Sequence, residues 1–124
     1  MPAFDGDNFS PPAPVASVAL RAIQATEIVS DVLLLIDTGA DVTLIPRGAI
    51  EQLGVTPNKT QYELAGFDGQ RTLADSVDLD LLVFSKVIRG CYLITEDSMG
   101  VLGRDVLNLF KLTFDGPTSS WDCE

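Results

Sequence analysis

The residues with the clearest capacity for chemistry are Asp37, Thr38 and Gly39, which follow directly on an apolar run. That run, Val32–Ile36, is Leu-rich and too short for a stable helix, so it predicts a strand buried on both faces. Thr38 and Gly39 suit a tight turn, and the largely apolar residues 42–46, which end in a proline, predict a second strand. A carboxylate between two core strands is costly to bury unless something satisfies it. Asp37 is therefore the candidate reactive group.

The composition excludes several other chemistries. The 124 residues include no histidine, which rules out Ser-His and Cys-His catalysis in their usual forms and removes the commonest metal ligand. The formal net charge of -10 argues against nucleic acid as a partner, because phosphate backbones are bound by clustered Lys and Arg. Two cysteines cannot compose a zinc site, so neither a metal nor a cofactor is expected. Cys91 lies in an apolar strand pattern that predicts a buried thiol, with a disulfide to Cys123 as the alternative.

The length and the hydropathy pattern bound the organisation of the chain. With 46% apolar residues it is long enough for one domain with a core and too short for two. Residues 1–14 are rich in proline and lack periodicity, so they predict a flexible N-terminal arm before a domain at residues 15–124. No stretch reaches the length of a membrane span, and the N-terminus lacks the order of a signal peptide. We therefore expect no membrane contact and a cytoplasmic location.

The elements that must position Asp37 are mostly strands. Residues 15–23 and 27–36 predict an antiparallel pair that leads to the acid. Arg47–Leu53, followed by Gly54, predicts one or two helical turns. Residues 62–73 predict a hairpin around the Asp68-Gly69 pair, with Gly66 near its tip.

The second half of the chain predicts a further hairpin and a helix. Residues 77–83 alternate and predict a half-buried strand with Asp78 and Asp80 outward, and residues 87–95 predict its return. A helix with an apolar face that includes Leu109 is expected from Asp105, followed by a strand at 112–114 and a polar tail.

Two motifs in this order resemble those of a known family. The run LLLIDTGADVTLIP resembles the active-site loop of the retroviral-type, retropepsin-like aspartic peptidases. Val101-Leu102-Gly103-Arg104-Asp105 resembles their second hallmark, which precedes the C-terminal helix. The resemblance spans roughly residues 15–115. It implies an all-β, closed-barrel-like acid protease fold with a flap hairpin and one short C-terminal helix, active as a homodimer.

The resemblance also assigns roles to residues. It implies an aspartic endopeptidase in which water is activated between two Asp37 carboxylates, one from each subunit, with Thr38 and Gly39 completing the catalytic loop. A peptide or protein substrate would be bound by residues of the loop, the flap and the second motif: Ala40, Asp41, Val42, Gly66, Phe67, Asp68, Gly69 and Leu102. Arg104 would support the site through an ion pair with Asp41. Without the resemblance, Arg104 would be assigned to a solvated helix N-terminus.

Two other functions compete with this interpretation. A catalytically silent retropepsin-like module for dimerisation or peptide binding would share the fold, although the intact Asp37-Thr38-Gly39 argues against lost chemistry. Phosphoryl transfer through an aspartyl nucleophile would need a Lys or a second acid beside Asp37, and Ile36 and Thr38 provide neither.

Overall fold

The computed structural model describes residues 2–66 and 68–124 and is built almost entirely from strands. Nine strands and two short helices occur in those ranges: β1 (Val15–Arg21), β2 (Ile28–Ile36), β3 (Leu44–Pro46), α1 (Arg47–Leu53), β4 (Gln61–Ala65), β5 (Arg71–Val83), β6 (Lys86–Thr95), β7 (Gly100–Leu102), α2 (Arg104–Leu107), β8 (Leu112–Asp115) and β9 (Ser120–Cys123).

Six of the strands close into a barrel. Their order is β1-β2-β7-β3-β6-β5, and β5 returns to β1 through the pairs Ala19 with Leu82 to Arg21 with Asp80. The fully buried side chains, which include Leu20, Leu34 and Leu79, fill the interior. The predicted all-β barrel with a short C-terminal helix is therefore confirmed.

The strand that leads to Asp37 has only one buried face. Val32, Leu34 and Ile36 point into the core, whereas Leu33 is 40% exposed. The prediction of burial on both faces was wrong, because a closed barrel of this size has one interior and alternate side chains of β2 point away from it.

The β4-β5 hairpin projects from the barrel as predicted for a flap. Gln61 pairs with Asp75 and Ala65 with Arg71, and the Asp68-Gly69 pair forms the turn, with Gly69 at φ 79°. Phe67 lies outside the described residues. Helix α1 also matches its prediction and ends at Gly54, whose φ of 77° is the left-handed conformation that glycine adopts readily.

The outer face of β5, on which Asp78 and Asp80 were both predicted to be exposed, is partly buried. Asp78 is exposed, but Asp80 is 1% exposed although it alternates with core residues. Arg89 Nε donates to Asp80 Oδ1 at 2.9 Å and Arg21 Nη2 donates to Asp80 Oδ2 at 3.1 Å, so two guanidinium groups cover the carboxylate. The hydrogen bond from Arg89 is the main reason that the pKa of Asp80 lies below its usual range; Arg21 adds to it and burial opposes it.

The C-terminal segment is more ordered than its polar sequence predicts. Strands β8 and β9 form a hairpin, and Trp121 is buried with its ring edge-to-face against Phe84, the centroids 5.5 Å apart. Helix α2 is only four residues long, and Leu109, expected on its apolar face, is 63% exposed. The prediction that the helix continues through Leu109 was wrong, because the chain turns toward β8.

The N-terminal segment contacts this hairpin. Phe4 N donates to Ser119 O at 2.7 Å and Trp121 N donates to Pro2 O at 3.0 Å. The flexibility of residues 1–14 stays a prediction. Both cysteines are free; Cys91 is exposed, which corrects the expected buried thiol. In residues 2–66 and 68–124 no helix has the length and apolar character to cross a membrane.

Candidate active site

Asp37 lies where β2 ends, and its own turn holds its carboxylate. Asp37 N donates to Leu102 O at 3.1 Å, which ties the turn to β7, and Ala40 N donates to Asp37 O at 3.2 Å, which closes it. Gly39 N donates to Asp37 Oδ1 at 2.9 Å. A Cβ on Gly39 would lie 3.1 Å from that same oxygen, so a larger residue would crowd the carboxylate. The turn therefore fixes the direction of the Asp37 side chain.

Arg104, the first residue of α2, holds the outer side of this loop. Its Nη1 donates to Thr38 O at 2.6 Å, its Nη2 contacts Asp41 Oδ1, and its backbone N donates to Ala40 O at 2.9 Å. The pair with Asp41 implied by the resemblance is thus present in the geometry. It is not desolvated in the isolated chain, because 83% of the Asp41 side chain and 42% of that of Arg104 are exposed.

Beneath the loop lies a hydrogen-bonded cluster whose members had no assigned role. Thr43 is fully buried; its Oγ1 donates to Asp105 Oδ1 at 2.7 Å and accepts from Gly103 N at 3.1 Å. Thr43 N donates to Asp105 Oδ2 at 3.1 Å. The signal for this cluster was a single polar residue, Thr43, in an otherwise apolar run, together with the acid that closes the second motif.

Gly103 permits the close approach of the two motifs. A Cβ at this position would lie 2.5 Å from Val42 O and 2.6 Å from its carbonyl carbon, so only glycine fits beneath the loop. The parallel pair Ile36 with Leu102 and the antiparallel pair Leu44 with Val101 continue the contact on both sides. The loop 37–43 and the segment 101–105 therefore form one packed, hydrogen-bonded unit.

The expected substrate residues fall into three groups. Ala40, Asp41 and Val42 lie on the loop beside Asp37 and retain surface. Leu102 has no exposed surface and packs in the core, so it supports the turn from below instead of lining a cleft.

The flap residues form the third group and are held at the tip of the hairpin. Gly66 N donates to Gln70 O at 2.8 Å, Gly69 N donates to Gly66 O at 3.1 Å, and Gln70 N donates to Asp68 Oδ1 at 3.0 Å. Phe67, the remaining member of the expected set, is outside the described residues.

The base of the flap is anchored by a cluster of charges. Arg47 Nη2 donates to Asp75 Oδ2 at 2.8 Å, Arg47 Nε donates to Glu96 Oε1 at 2.8 Å, and Gln61 Nε2 donates to Asp75 Oδ1 at 2.7 Å. The bond from Gln61, followed by that from Arg47, lowers the pKa of Asp75, and the bond from Arg47 lowers the pKa of Glu96. These contacts join the flap to α1 and to the loop before β7.

Comparison with known proteins agrees with this geometry. A family model described as aspartyl protease matches residues 29–106, more than half of the chain, and the chain belongs to that family. Among solved structures it is similar to EIAV protease complexed with the inhibitor HBY-793, at 20% identity and a TM-score of 0.59, over 77% of this chain and 86% of that chain. This likeness shows a retropepsin-like fold. Comparison with curated proteins gave no match.

Proposed function

We propose that this chain is an aspartic endopeptidase whose active form is a homodimer with one Asp37 from each subunit at a shared site. The observation that carries the proposal is the Asp37 turn, in which Gly39 N–H holds one carboxylate oxygen. The reaction needs two facing carboxylates. The two other acids of the motifs are engaged elsewhere, Asp41 with Arg104 and Asp105 with Thr43. A twofold axis at the turn would supply the second Asp37.

The chemistry follows from two acids in close contact. Two carboxylates about 3 Å apart cannot both be charged, so the pair shares one proton. The ionised Asp37 takes a proton from water as the oxygen adds to the peptide carbonyl carbon, and the protonated Asp37 donates to the carbonyl oxygen. As the C–N bond breaks, a proton passes to the leaving nitrogen and an amine and a carboxylic acid are released.

The other loop residues would position the two acids and the substrate. Thr38 is exposed, which leaves its hydroxyl free to hold the two loops together across the axis. Ala40, Asp41 and Val42, with the flap residues 66–69, would hold an extended peptide through backbone hydrogen bonds, as an added strand. A flap that closes over substrate must also reopen, which gives the glycines at its tip a mechanical role.

A peptide-library digest tests this proposal. Wild-type protein should cut peptides and be blocked by a statine-type inhibitor, whereas Asp37→Asn should lose at least ~10²-fold in rate while remaining folded. Asp78→Asn is the matched control, because it removes one exposed carboxylate on the outside of β5 and should keep full activity. Activity of the Asp37→Asn protein within about tenfold of wild type would refute the proposal. Inhibitor binding without cleavage would instead favour the silent peptide-binding module.

A further inference from the structure

Strand β2 has an unpaired edge at the end remote from Asp37. It pairs with β1 from Ile28 to Leu35, but with β7 only from Leu34 to Ile36. In the described parts of the chain, residues 28–33 have no partner residue in β7. Ile36 N donates toward β1, to Pro14 O, and Asp37 N donates toward β7, to Leu102 O. By this alternation Leu33 directs both its N–H and its C=O to the β7 side, where the pairing of Leu34 with Gly100 takes up the C=O and leaves the N–H at the unpaired edge.

A groove runs along this edge. Its volume is about 860 Å³, and it is bounded by β2, by the first turns of α1, by residues 96–99 and by residues 8–9 of the N-terminal segment. The groove forms because the chain before β7 leaves the edge of β2 instead of extending the sheet. Its apolar surface is formed by Phe9, Leu33, Ala49 and Met99. It therefore combines a free backbone N–H, that of Leu33, with side chains that an extended peptide can pack against.

The side chains that line the groove are acidic, which favours binding of a basic segment. Asp31, Glu96 and Asp97 line it, and neither Lys nor Arg is among the described residues that do so. Arg47 compensates Glu96 from outside, whereas Asp31 and Asp97 form no salt bridge with any residue that the structure describes. An extended segment that alternates basic and apolar residues complements both features.

We propose that this groove binds an extended, basic segment of a protein substrate, which adds to the edge of β2 as a strand. The edge residue Leu33 is four residues from Asp37, about 13 Å along the strand, so the segment would bind apart from the peptide bond that is cut. That the segment belongs to a substrate rests on the proposed peptidase function. Binding of the segment does not, and it is measured separately.

Binding is tested on full-length Asp37→Asn protein with a short blocked peptide of alternating Lys and Val, followed by amide NMR. The amides of Leu33 and Met99 should shift, and hydrogen exchange at Leu33 N–H should slow because the probe accepts its hydrogen bond. The double variant Asp31→Asn, Asp97→Asn should raise the Kd at these amides about fivefold. Asn tolerates the left-handed conformation of Asp31, whose φ is 58°.

A control with the same charge change separates the groove from general attraction to an acidic protein. Asp78→Asn with Asp122→Asn removes two exposed acids outside the groove and should change the Kd less than about twofold. Equal weakening in both double variants, equal binding of a Glu and Val peptide, or shifts confined to the Asp37 turn would overturn the proposal. Concentration-dependent shifts at Leu33 without probe would also overturn it, since a second copy would then occupy the groove.

The substrate part is tested with active protein. A cleavable peptide joined by a flexible linker to a Lys and Val segment should show a lower KM than the same peptide alone, with kcat unchanged. The Asp31, Asp97 double variant should lose this advantage and the Asp78, Asp122 variant should keep it. An advantage of the same size in both variants would overturn the role in substrate binding. Absence of all cleavage would refute the peptidase proposal and leave the NMR result to decide the groove.

Discussion

Substituting Thr43 tests whether the buried cluster holds the Asp37 loop in place. Thr43→Val preserves the shape of a side chain with no exposed surface but removes the hydroxyl. Removal of the hydroxyl breaks its hydrogen bond to the Asp105 carboxylate, which is worth roughly 1.5 to 3 kcal/mol. It also leaves the buried Gly103 N–H without an acceptor, which costs roughly 1 to 3 kcal/mol. Because one oxygen makes both bonds, the two terms do not simply add, and we expect a loss of about 3 kcal/mol in the free energy of unfolding.

Thr43→Ser is the matched control. It keeps the oxygen and loses one buried methyl group, which costs about 1 kcal/mol. For a domain of this length each 1 kcal/mol corresponds to about 4 °C in Tm, so the Val variant should melt about 8 °C below the Ser variant. Urea unfolding and thermal melts at one low protein concentration give both quantities, because any dimer would add a concentration-dependent term.

Hydrogen exchange supplies a local readout for the same pair. The Gly103 amide should exchange faster in the Val variant and remain protected in the Ser variant, because only the former lacks its acceptor. A Val variant as stable as the Ser variant, or an unchanged Gly103 exchange rate, would show that packing and not the hydroxyl holds the two motifs together.

Four further predictions follow from the geometry. Specific activity should fall on dilution, because monomers hold half a site; strict proportionality of rate to enzyme at a monomeric sedimentation mass would contradict the homodimer. Arg104→Ala should lower the unfolding free energy of the isolated chain by only about 1 kcal/mol, because the pair of Arg104 with Asp41 is exposed. A loss above about 3 kcal/mol, measured by urea unfolding at low protein concentration, would mean that the pair is desolvated. The rate on one peptide should follow a bell-shaped pH profile on the acidic side of neutrality, and a rate still rising at pH 8 would exclude a shared proton. The pKa of Asp80 is lowered in the folded protein, first by Arg89, so the ionised carboxylate stabilises the fold above the unfolded pKa of about 3.9, and this contribution is lost as the pH falls through the folded pKa. Plots of unfolding free energy against acid pH should therefore be steeper for wild type than for Asp80→Asn. Parallel plots would contradict the pairing of Asp80 with the two arginines.

The Asp37 turn and the flap were predictable from sequence because local rules dominate there. A short apolar run before Asp37 predicted a strand, and small residues after it predicted a turn. Asp68-Gly69 predicted the hairpin and Gly54 the end of α1, since each meets a local backbone requirement that few other residues satisfy. The catalytic and substrate roles of these residues stay predictions.

The features that could not be predicted from the sequence depend on contacts between distant segments. Asp80 alternates with core residues and was expected to face solvent, yet Arg21 and Arg89 from the neighbouring strands bury it. Leu102 was expected in a cleft, but closure of the barrel places it inside. Exposure of Cys91 likewise depends on which face of β6 turns outward.

The sequence by itself determined the candidate reactive residue, because the strand, acid and turn around Asp37 are consecutive in the chain. Only the tertiary structure decided how that acid is held. Thr43 and Asp105 are 62 positions apart, and their hydrogen bond exists because β3 and β7 pair and bring the two motifs into contact. The unpaired edge of β2 likewise arises from the short reach of β7, which no local pattern encodes. Local conformational preferences act over a few residues, whereas pairing partners and burial are set by the closure of the whole barrel.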